Sequence, residues 1–476
     1  MKQETVVTGH ISGVLEDSLL FVTNPIYGTS YAGFADTLHV DMNGGFTWKT
    51  NLREPVLVNL RGIVKRNYAL LLEPGEQYHL EMDAEEGMQQ ISGQNEKGSM
   101  LYASLPNPWH IQEVARSYMN DTSLLSIREK IDKLQQDEMA KWKDLADKQE
   151  ISPAFFKLSQ TERNFYYAAM EAFPSLMQLY SLTRNSENDS LLRRKTVLIE
   201  HLESIYAQYP PNDESLIVSS FWPDYVYYYI QYKQISQPNY NNDSIRTFQE
   251  RGILHTWLLG EAQKYLKGKA LEYYTARYLF DAAFQQMFEK ELITLFDQFK
   301  KDYPRSEYTW YIQPHIDKII RYHQAISQPF EEAVFLKDYE SMNTLEEALK
   351  PLRGKKVYVD VWATWCGPCK DEFKHNGELK KILEKDDIRK LYISIDRKNN
   401  HQQWLDNIKY YRLEGYHIHA DSVLSSNLMK LFSKTDDIHK MMIAIPWYIL
   451  IDEEGNILEE HAKAPSDLVK GERLSE

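Results

Sequence analysis

The stretch YVDVWATWCGPCKDEF, Tyr358–Phe373, decides the fold of the last third of this chain. It contains the only two cysteines among 476 residues, Cys366 and Cys369. Two cysteines cannot build a disulfide framework for so long a chain, and a bridge that closes so short a loop adds little stability through chain entropy. A chemical role for the pair is therefore the better hypothesis.

Local patterns predict where the cysteines lie. The apolar run KKVYVDVWA predicts a buried strand before them, and CKDEFKHNGELKKILEK predicts a helix that follows. Cys366 would then begin the helix, where free backbone N–H groups favour the thiolate, which is the attacking form. The spacing of three puts both sulfurs on one helical face, close enough to bond. Pro368 suits an early helical position, and Gly367 lets a substrate backbone approach closely.

A metal site is the competing interpretation of a Cys-x-x-Cys pair. One pair supplies only half of a zinc site, and the sequence has no second pair. The nearby histidines show no register that would complete it: His375, His401, His417, His419 and His439. We therefore expect no metal and no cofactor besides the redox-active Cys366–Cys369 pair, with thiol–disulfide exchange as its chemistry.

Composition limits the partners of the protein. The net charge of −14 argues against nucleic-acid or anionic-membrane binding, because both need a basic face. No segment is apolar over a length that would cross a bilayer, and the start, MKQETVVTGH, lacks the apolar core of a secretory signal. Either the protein is cytosolic or a signal was removed ahead of this numbering.

Hydrophobic patterns divide the chain into three predicted domains. Residues 1–95 contain short alternating runs between turn signals, which predicts an antiparallel β-sandwich, with a small barrel as the alternative. Residues 96–328 have apolar positions at helical spacing and predict an all-α domain, in which the stripe YVYYYIQY either lines a groove or, more commonly, belongs to the core. The linker His323–Phe335 leads into residues 329–476, where strands and helices alternate before a final hairpin. That pattern predicts an α/β domain with a mixed sheet.

The cysteine motif resembles those of known redox proteins. VDVWATWCGPCK is similar to the active-site motif of thioredoxins, and WATWCGPCKDEF resembles the TlpA/ResA-like thiol–disulfide oxidoreductases of the bacterial cell envelope. The resemblance covers about residues 330–476 and implies a thioredoxin-like C-terminal domain. The β and helical domains resemble the accessory parts of multidomain TlpA-type proteins.

The resemblance implies further site residues. Pro446 would be a cis-proline facing the cysteines, the backbone of Ile445 would pair with an extended substrate, and Trp365 would offer a contact face to a partner. Asp360 matches the buried aspartate of thioredoxins, and Glu372 matches an acid of ResA-like proteins. Burial raises the pKa of a carboxyl group toward the range that suits proton exchange with a thiol. An ordinary trans proline at a strand start and a solvated acid at position 372 stay open as alternatives.

The resemblance also implies a function and a place. We expect reduction of disulfides in protein substrates on the periplasmic or outer-envelope side of the cell, by a protein that is either free or lipid-anchored, with electrons from a membrane-borne thiol donor. A proline is common after Phe373 in the family, whereas Lys374 stands here, so the usual cause of a helix kink is missing. Two alternatives remain: a binding or scaffold protein that works through its first 330 residues, and a thiol peroxidase, although the residues before Cys366 lack the proline typical of a peroxidatic cysteine.

Overall fold

Strands dominate the start of the chain. The computed structural model describes residues 3–13, 19–23, 35–62, 68–108, 110–183, 189–213, 217–237, 243–435, 437 and 441–472. Within these ranges, the first strands are β1 (Gln3–Ser12), β2 (Leu19–Thr23), β3 (Ala35–His39), β4 (Gly45–Leu52), β5 (Val56–Gly62), β6 (Tyr68–Leu72), β7 (Gln77–Asp83) and β8 (Gly87–Gly93). They form two four-stranded sheets, with the orders β4-β1-β7-β8 and β3-β2-β5-β6.

Both sheets contribute side chains to one buried core. Tyr78, Leu80 and Met82 alternate along β7 and enter this core together with Val58 and Leu60 of β5. The prediction of a purely antiparallel arrangement is wrong, because β1 pairs with β7 in parallel and with β4 in an antiparallel ladder. Parallel neighbours need a long connection, and here the chain between β1 and β7 builds the second sheet. The description as a sandwich stays a prediction.

The middle of the chain is rich in helices, as predicted. They are α1 (Glu96–Ser104), α2 (Ile111–Ala115), α3 (Leu124–Asp147), α4 (Pro153–Leu182), α5 (Asp189–Gln208), α6 (Trp222–Ile235), α7 (Asp243–Glu250), α8 (Leu254–Tyr265), α9 (Gly268–Phe284), α10 (Glu291–Asp302) and α11 (Thr309–Ile326), with a 3-10 turn at Arg116–Tyr118. In the tyrosine stripe of α6, Tyr225, Tyr228 and Tyr232 are buried, which agrees with a core role for these three rings.

Strand β6 is buried along its whole length because a separate core covers each of its faces. Tyr68, Leu70 and Leu72 belong to the core shared by the two sheets. The side chains between them lie in a second core, which includes Trp142 of α3 and Phe155 of α4. The β region and the first long helices therefore share buried apolar surface, whose removal from water stabilises both.

Two compact units make up the chain. The first contains Met1–Phe284 and Glu291–His315, and the second contains Gln285–Lys290 and Ile316–Glu476. The first unit takes in both the β and the helical ranges that the sequence patterns separate, and the boundary falls within α11. The division into domains 1–95, 96–328 and 329–476 stays a prediction.

The second unit is an α/β domain with a mixed sheet, as predicted. Its elements after α11 are β9 (Ala333–Phe335), α12 (Leu345–Leu349), β10 (Val357–Trp362), α13 (Gly367–Glu372), α14 (Asn376–Lys385), β11 (Arg389–Ser394), α15 (His401–Tyr411), β12 (Gly415–His419), α16 (Ser422–Ser433), β13 (Trp447–Ile451), β14 (Ile457–Glu459) and α17 (Pro465–Val469). The sheet order is β14-β13-β10-β11-β12-β9, with β13 and β14 antiparallel to their neighbours and the remaining pairs parallel. Strand β9 lies in the predicted linker and pairs with β12.

Two connections in this unit differ in how well the sequence predicts them. The predicted final hairpin is formed by β13 and β14, and its turn has Gly455 at φ +97° and the Asp452 carboxylate accepting the Glu454 and Asn456 N–H groups. By contrast, the helix predicted after the cysteines is interrupted by a 3-10 turn at Phe373–His375, although no proline stands there.

Over the part of the chain that the structure describes, the helices are too short or too polar to cross a membrane.

Candidate active site at the Cys366–Cys369 pair

The cysteines lie where the central strand gives way to a helix. Strand β10 is buried on both faces, and residues 363–366 lead from it into α13. Cys366 has extended backbone angles and immediately precedes the first helical residue, and Pro368 occupies the first turn. The predicted order of strand, cysteine and helix is confirmed.

The two sulfurs form a disulfide. The S–S distance is 1.97 Å and the Cα atoms are 5.4 Å apart. Cys366 Sγ also accepts a hydrogen bond from the Cys369 N–H at 3.1 Å. Cys366 retains 4% of its surface exposed while Cys369 retains none, and both pack beside Trp362 and Phe373. An approaching thiol or disulfide therefore meets Cys366 first.

Exposed residues surround the pair on the solvent side. Trp365 is 55% exposed, and Gly367 and Pro368 are exposed as well. A Cβ built on Gly367 would have no atom within 4 Å among the described residues, so the space over this position is open. Trp362, by contrast, is fully buried in the core. The two tryptophans of the motif therefore occupy opposite environments.

The peptide bond between Ile445 and Pro446 is cis, as the resemblance implies. Both residues are partly buried, and they immediately precede β13. The Ile445 side chain packs against the cluster that contains both cysteines. The structure thus brings this segment, which is distant in sequence, to the buried cluster that contains the disulfide.

Asp360 lies on β10 with only 1% of its surface exposed. Burial raises the pKa of its carboxyl group to about 6, and the ammonium of Lys390, 3.5 Å away, opposes this rise. Burial also lowers the pKa of Lys390 to about 8. Lys390 donates a hydrogen bond to Asn376 at 2.8 Å and lies over the Tyr392 ring. This buried pair provides a proton acceptor whose pKa lies near neutral pH.

Lys390 was missed by sequence reasoning, although a signal for it exists. In the parallel ladder Tyr358 lies opposite Lys390, and Asp360 lies opposite Tyr392. Alternate residues of a strand share a face, so Asp360 and Lys390 project from the same side of the sheet. The register of β10 against β11 would have revealed the pair, but single-strand patterns do not contain it.

Glu372, the other predicted proton carrier, has a structural contact. Its carboxylate accepts hydrogen bonds from the Ser466 N–H at 2.9 Å and the Ser466 hydroxyl at 3.0 Å. It therefore joins the end of α13 to the start of α17. Its charge also contributes to the raised pKa of Asp360, after the larger effect of burial. The structure thus places Glu372 within electrostatic range of Asp360.

This arrangement defines the C-terminal domain as a member of the thioredoxin superfamily. Within that superfamily the domain is TlpA/ResA-like, and residues 329–471 match the Redoxin family model. Thiol-disulfide oxidoreductase ResA from Bacillus thuringiensis subsp. konkukian is 25% identical over 128 residues, which cover 27% of this chain and 62% of that protein. Sporulation thiol-disulfide oxidoreductase A from Bacillus subtilis is 29% identical over 133 residues, covering 27% of this chain and 71% of that protein.

A solved structure is also similar to this domain. It is the solution structure of a candidate thiol-disulfide oxidoreductase from Bacteroides vulgatus, which is 31% identical and covers 26% of this chain and 75% of that chain, with a TM-score of 0.22. The chain spans 62% of the length of the two Bacillus ResA proteins that it matches over 128 residues, which is less than two thirds. The family match and the curated relatives support a thioredoxin-like oxidoreductase activity for the C-terminal domain.

Proposed function

We propose that this protein is a thiol–disulfide oxidoreductase that reduces disulfides in partner proteins of the cell envelope. One observation carries the proposal: Cys366 and Cys369 form a disulfide beneath an exposed rim, with Cys366 at the start of a helix and Cys369 fully buried. Such a pair exchanges electrons through its own sulfurs, so the reaction needs no cofactor.

In the first step, the reduced pair attacks its substrate. The Cys366 thiolate attacks one sulfur of a partner disulfide, which forms a mixed disulfide and breaks the partner's S–S bond. The other partner sulfur leaves as a thiolate and takes a proton from water. The Cys369 N–H, which donates to Cys366 Sγ at 3.1 Å, stabilises negative charge on the attacking sulfur.

In the second step, Cys369 releases the product. Its thiol loses a proton toward the Asp360 carboxylate, whose raised pKa suits this transfer, and the thiolate attacks Cys366 Sγ. The mixed disulfide breaks, the second partner sulfur leaves as a thiolate and takes a proton from water, and Cys366 and Cys369 end as a disulfide. Two electrons pass from the pair to the partner. Lys390 stays beside Asp360 and holds the carboxylate in its ionised form before the transfer.

The rim residues are proposed to bind the partner. Trp365, with its exposed ring, and Gly367 and Pro368 would contact the segment around the substrate disulfide. The backbone of Ile445, before cis Pro446, would pair with an extended substrate strand. Glu372 is proposed to assist the proton transfer through its influence on Asp360 and to fix the end of α13 through Ser466.

The direction and the location follow from the motif and the resemblance. The residues between the cysteines are Gly367 and Pro368, which supply no cation to hold a thiolate strongly, and a less stabilised dithiol is a better electron donor. The proposed role is therefore that of a reductant on the periplasmic side, re-reduced by a membrane-borne thiol donor that supplies two electrons.

Trapping with Cys369→Ala tests the function. Without the resolving sulfur, we expect Cys366 to remain bonded to its partner in a complex that withstands denaturation but not dithiothreitol. The Cys366→Ser variant is the matched control and should capture nothing. Wild-type protein should also reduce insulin disulfides and equilibrate with glutathione at a potential nearer thioredoxin than a strong oxidant.

Three results would contradict the proposal. A Cys369→Ala protein that captures no more than Cys366→Ser would remove the exchange mechanism. Full biological function in a Cys366→Ser/Cys369→Ser variant would favour a binding or scaffold role. A strongly oxidising potential would reverse the proposed direction of electron flow.

A further inference from the structure

A second buried carboxylate, Asp396, stands beside the cysteine motif, and the steps above do not use it. It follows β11 and is only 3% exposed. One oxygen accepts the Thr364 N–H at 2.8 Å and the Ser394 hydroxyl at 2.7 Å, and the other accepts the Thr364 hydroxyl at 2.7 Å. A buried carboxylate with this many donors is held firmly, since its hydrogen bonds are charge-assisted.

Thr364 connects Asp396 to the turn that carries Cys366. It lies two positions before Cys366, in the turn that connects β10 to α13, and is fully buried. The turn is closed by a hydrogen bond from the Cys366 N–H to the Ala363 carbonyl at 3.0 Å. Because Asp396 binds both the backbone and the side chain of Thr364, it fixes the position and the orientation of this turn.

An opposite charge lies on the other side of the cysteines. Lys370 directly follows Cys369, is buried, and donates a hydrogen bond to the Gln286 carbonyl at 2.9 Å. Burial lowers the pKa of Lys370 to about 8, and the negative charges of Asp396 and Glu289 oppose that decrease. Asp396 therefore contacts the turn before the pair and attracts the cation after it.

We infer that Asp396 is a positioning residue for disulfide exchange, which acts by anchoring Thr364 so that Cys366 Sγ lies against the Cys369 N–H. This inference rests on the proposed function and deepens it. The sulfur gains its N–H contact only if the turn delivers Cys366 to the right place at the helix start. A turn freed from Asp396 moves the sulfur away from the donor and weakens the stabilisation of the thiolate.

Two variants separate anchoring from other effects. Asp396→Asn removes the charge of the carboxylate. Thr364→Val keeps the shape of the side chain but removes the hydroxyl that donates a hydrogen bond to Asp396. Thr364→Ser restores that hydroxyl and serves as the rescue. Asp452→Asn is the matched control, because Asp452 also accepts backbone N–H groups of a turn but follows β13 at the opposite end of β10 from the cysteines.

The first readout is the pH dependence of Cys366 alkylation by iodoacetamide in the reduced full-length protein. We expect Asp396→Asn and Thr364→Val to move the midpoint upward by about one pH unit, and Thr364→Ser and Asp452→Asn to leave it within the error of wild type. The second readout is kcat/KM for insulin reduction, which should fall about tenfold in the first two variants, since a lost hydrogen bond to a charged group costs at least that factor.

The outcomes distinguish the inference from the proposed function. Unchanged midpoints with only a lower unfolding temperature would make Asp396 merely structural and overturn the inference. A downward shift in Asp396→Asn with no shift in Thr364→Val would show that the charge acts directly, which also overturns it. Alkylation needs no disulfide substrate, so upward shifts in a protein that fails to reduce insulin would support the inference while the proposed function fails.

Discussion

Asp360 owes its properties to the strand that carries it. A carboxyl group on a central strand, buried on both faces of the sheet, loses its hydration, and a single ammonium at 3.5 Å replaces only part of it. Its pKa is therefore raised to about 6 from the ordinary 3.8. The same burial that makes Asp360 a suitable proton acceptor makes its ionised form costly for the folded state.

This cost predicts how stability depends on pH. Between about pH 4 and pH 6 the folded protein keeps a proton on Asp360 that the unfolded chain has already lost, so the free energy of unfolding of the second unit falls as the pH rises through this window. Asp360→Asn should abolish that contribution, which amounts to about 3 kcal/mol at most. Lys390 stays charged throughout the window, because its pKa is about 8.

Urea unfolding at pH 4 and pH 7 measures this contribution. The free energy of unfolding of Asp360→Asn, measured relative to wild type, should be higher at pH 7 than at pH 4. An equal difference at the two pH values would mean that Asp360 titrates normally in the folded protein.

The sequence predicts some residues of the candidate site, and only the structure identifies the others. Cys366 and Cys369 are predicted from their spacing and from the strand and helix patterns on either side of them, whereas Asp360 is predicted only from the resemblance of the motif to that of thioredoxins. Lys390 and Asp396 come from the neighbouring strand and its end, and Ser466 reaches Glu372 from a distant helix. Their contacts depend on strand register and on packing, which a local sequence pattern does not reveal.

At the scale of elements, patterns predict what each element buries but not which element it meets. The uninterrupted apolar run of β6 indicates burial on both faces, and two cores do cover it. The local sequence predicts neither the parallel pairing of β1 with β7 nor the short strand β9, because both depend on contacts made across the sheet. The break between α13 and α14 likewise occurs without proline.

Helices α3 and α4 offer a test of a buried ion pair. Arg163 donates to both carboxylate oxygens of Glu138, at 2.7 and 2.9 Å, and Trp142 and Tyr167 donate to the same carboxylate. Arg163→Met would leave Glu138 buried without its counter-charge. We expect the first unit to lose about 3–5 kcal/mol of stability, measured by denaturant unfolding and by faster amide exchange in α3 and α4.

Arg128→Met is the control for that experiment. Arg128 also joins α3 to α4, through Glu171 at 2.7 Å, but its side chain is 34% exposed. Water can replace part of the Arg128 contact, although Glu171 is itself buried, so we expect a loss of about 1–3 kcal/mol, smaller than that of Arg163→Met. Equal losses of stability in the two variants would show that burial does not determine how much the Arg163–Glu138 pair contributes to the free energy of unfolding.

At the scale of the whole molecule, the second unit is discontinuous in sequence. Gln285–Lys290 belongs to it, although it precedes the Redoxin match at residues 329–471. Phe288 stacks on Tyr322 with ring centroids 4.2 Å apart and packs against Tyr410 at 5.1 Å. The local sequence patterns assign this segment to the helical domain, because a contact between residues so far apart produces no local pattern.

Phe288→Ala tests this membership in the full-length protein. Removing a buried ring should cost about 3–5 kcal/mol, and the loss should appear as faster amide exchange in α15 and in the end of α11. Phe299→Ala removes an equally buried ring from α10 of the first unit and should leave exchange in α15 unchanged. Faster exchange in α15 from both variants, or from neither, would contradict the assignment of the segment.

The discontinuity has a consequence during translation. Phe288 leaves the ribosome roughly 120 residues before Tyr410, a delay of roughly 6 to 25 seconds at the usual rates of synthesis. Throughout that interval its aromatic ring lacks part of its final binding surface. Nascent chains of this protein therefore expose part of the Phe288 ring until Tyr410 has emerged, and a chaperone that recognises aromatic side chains would have access to this ring during that interval.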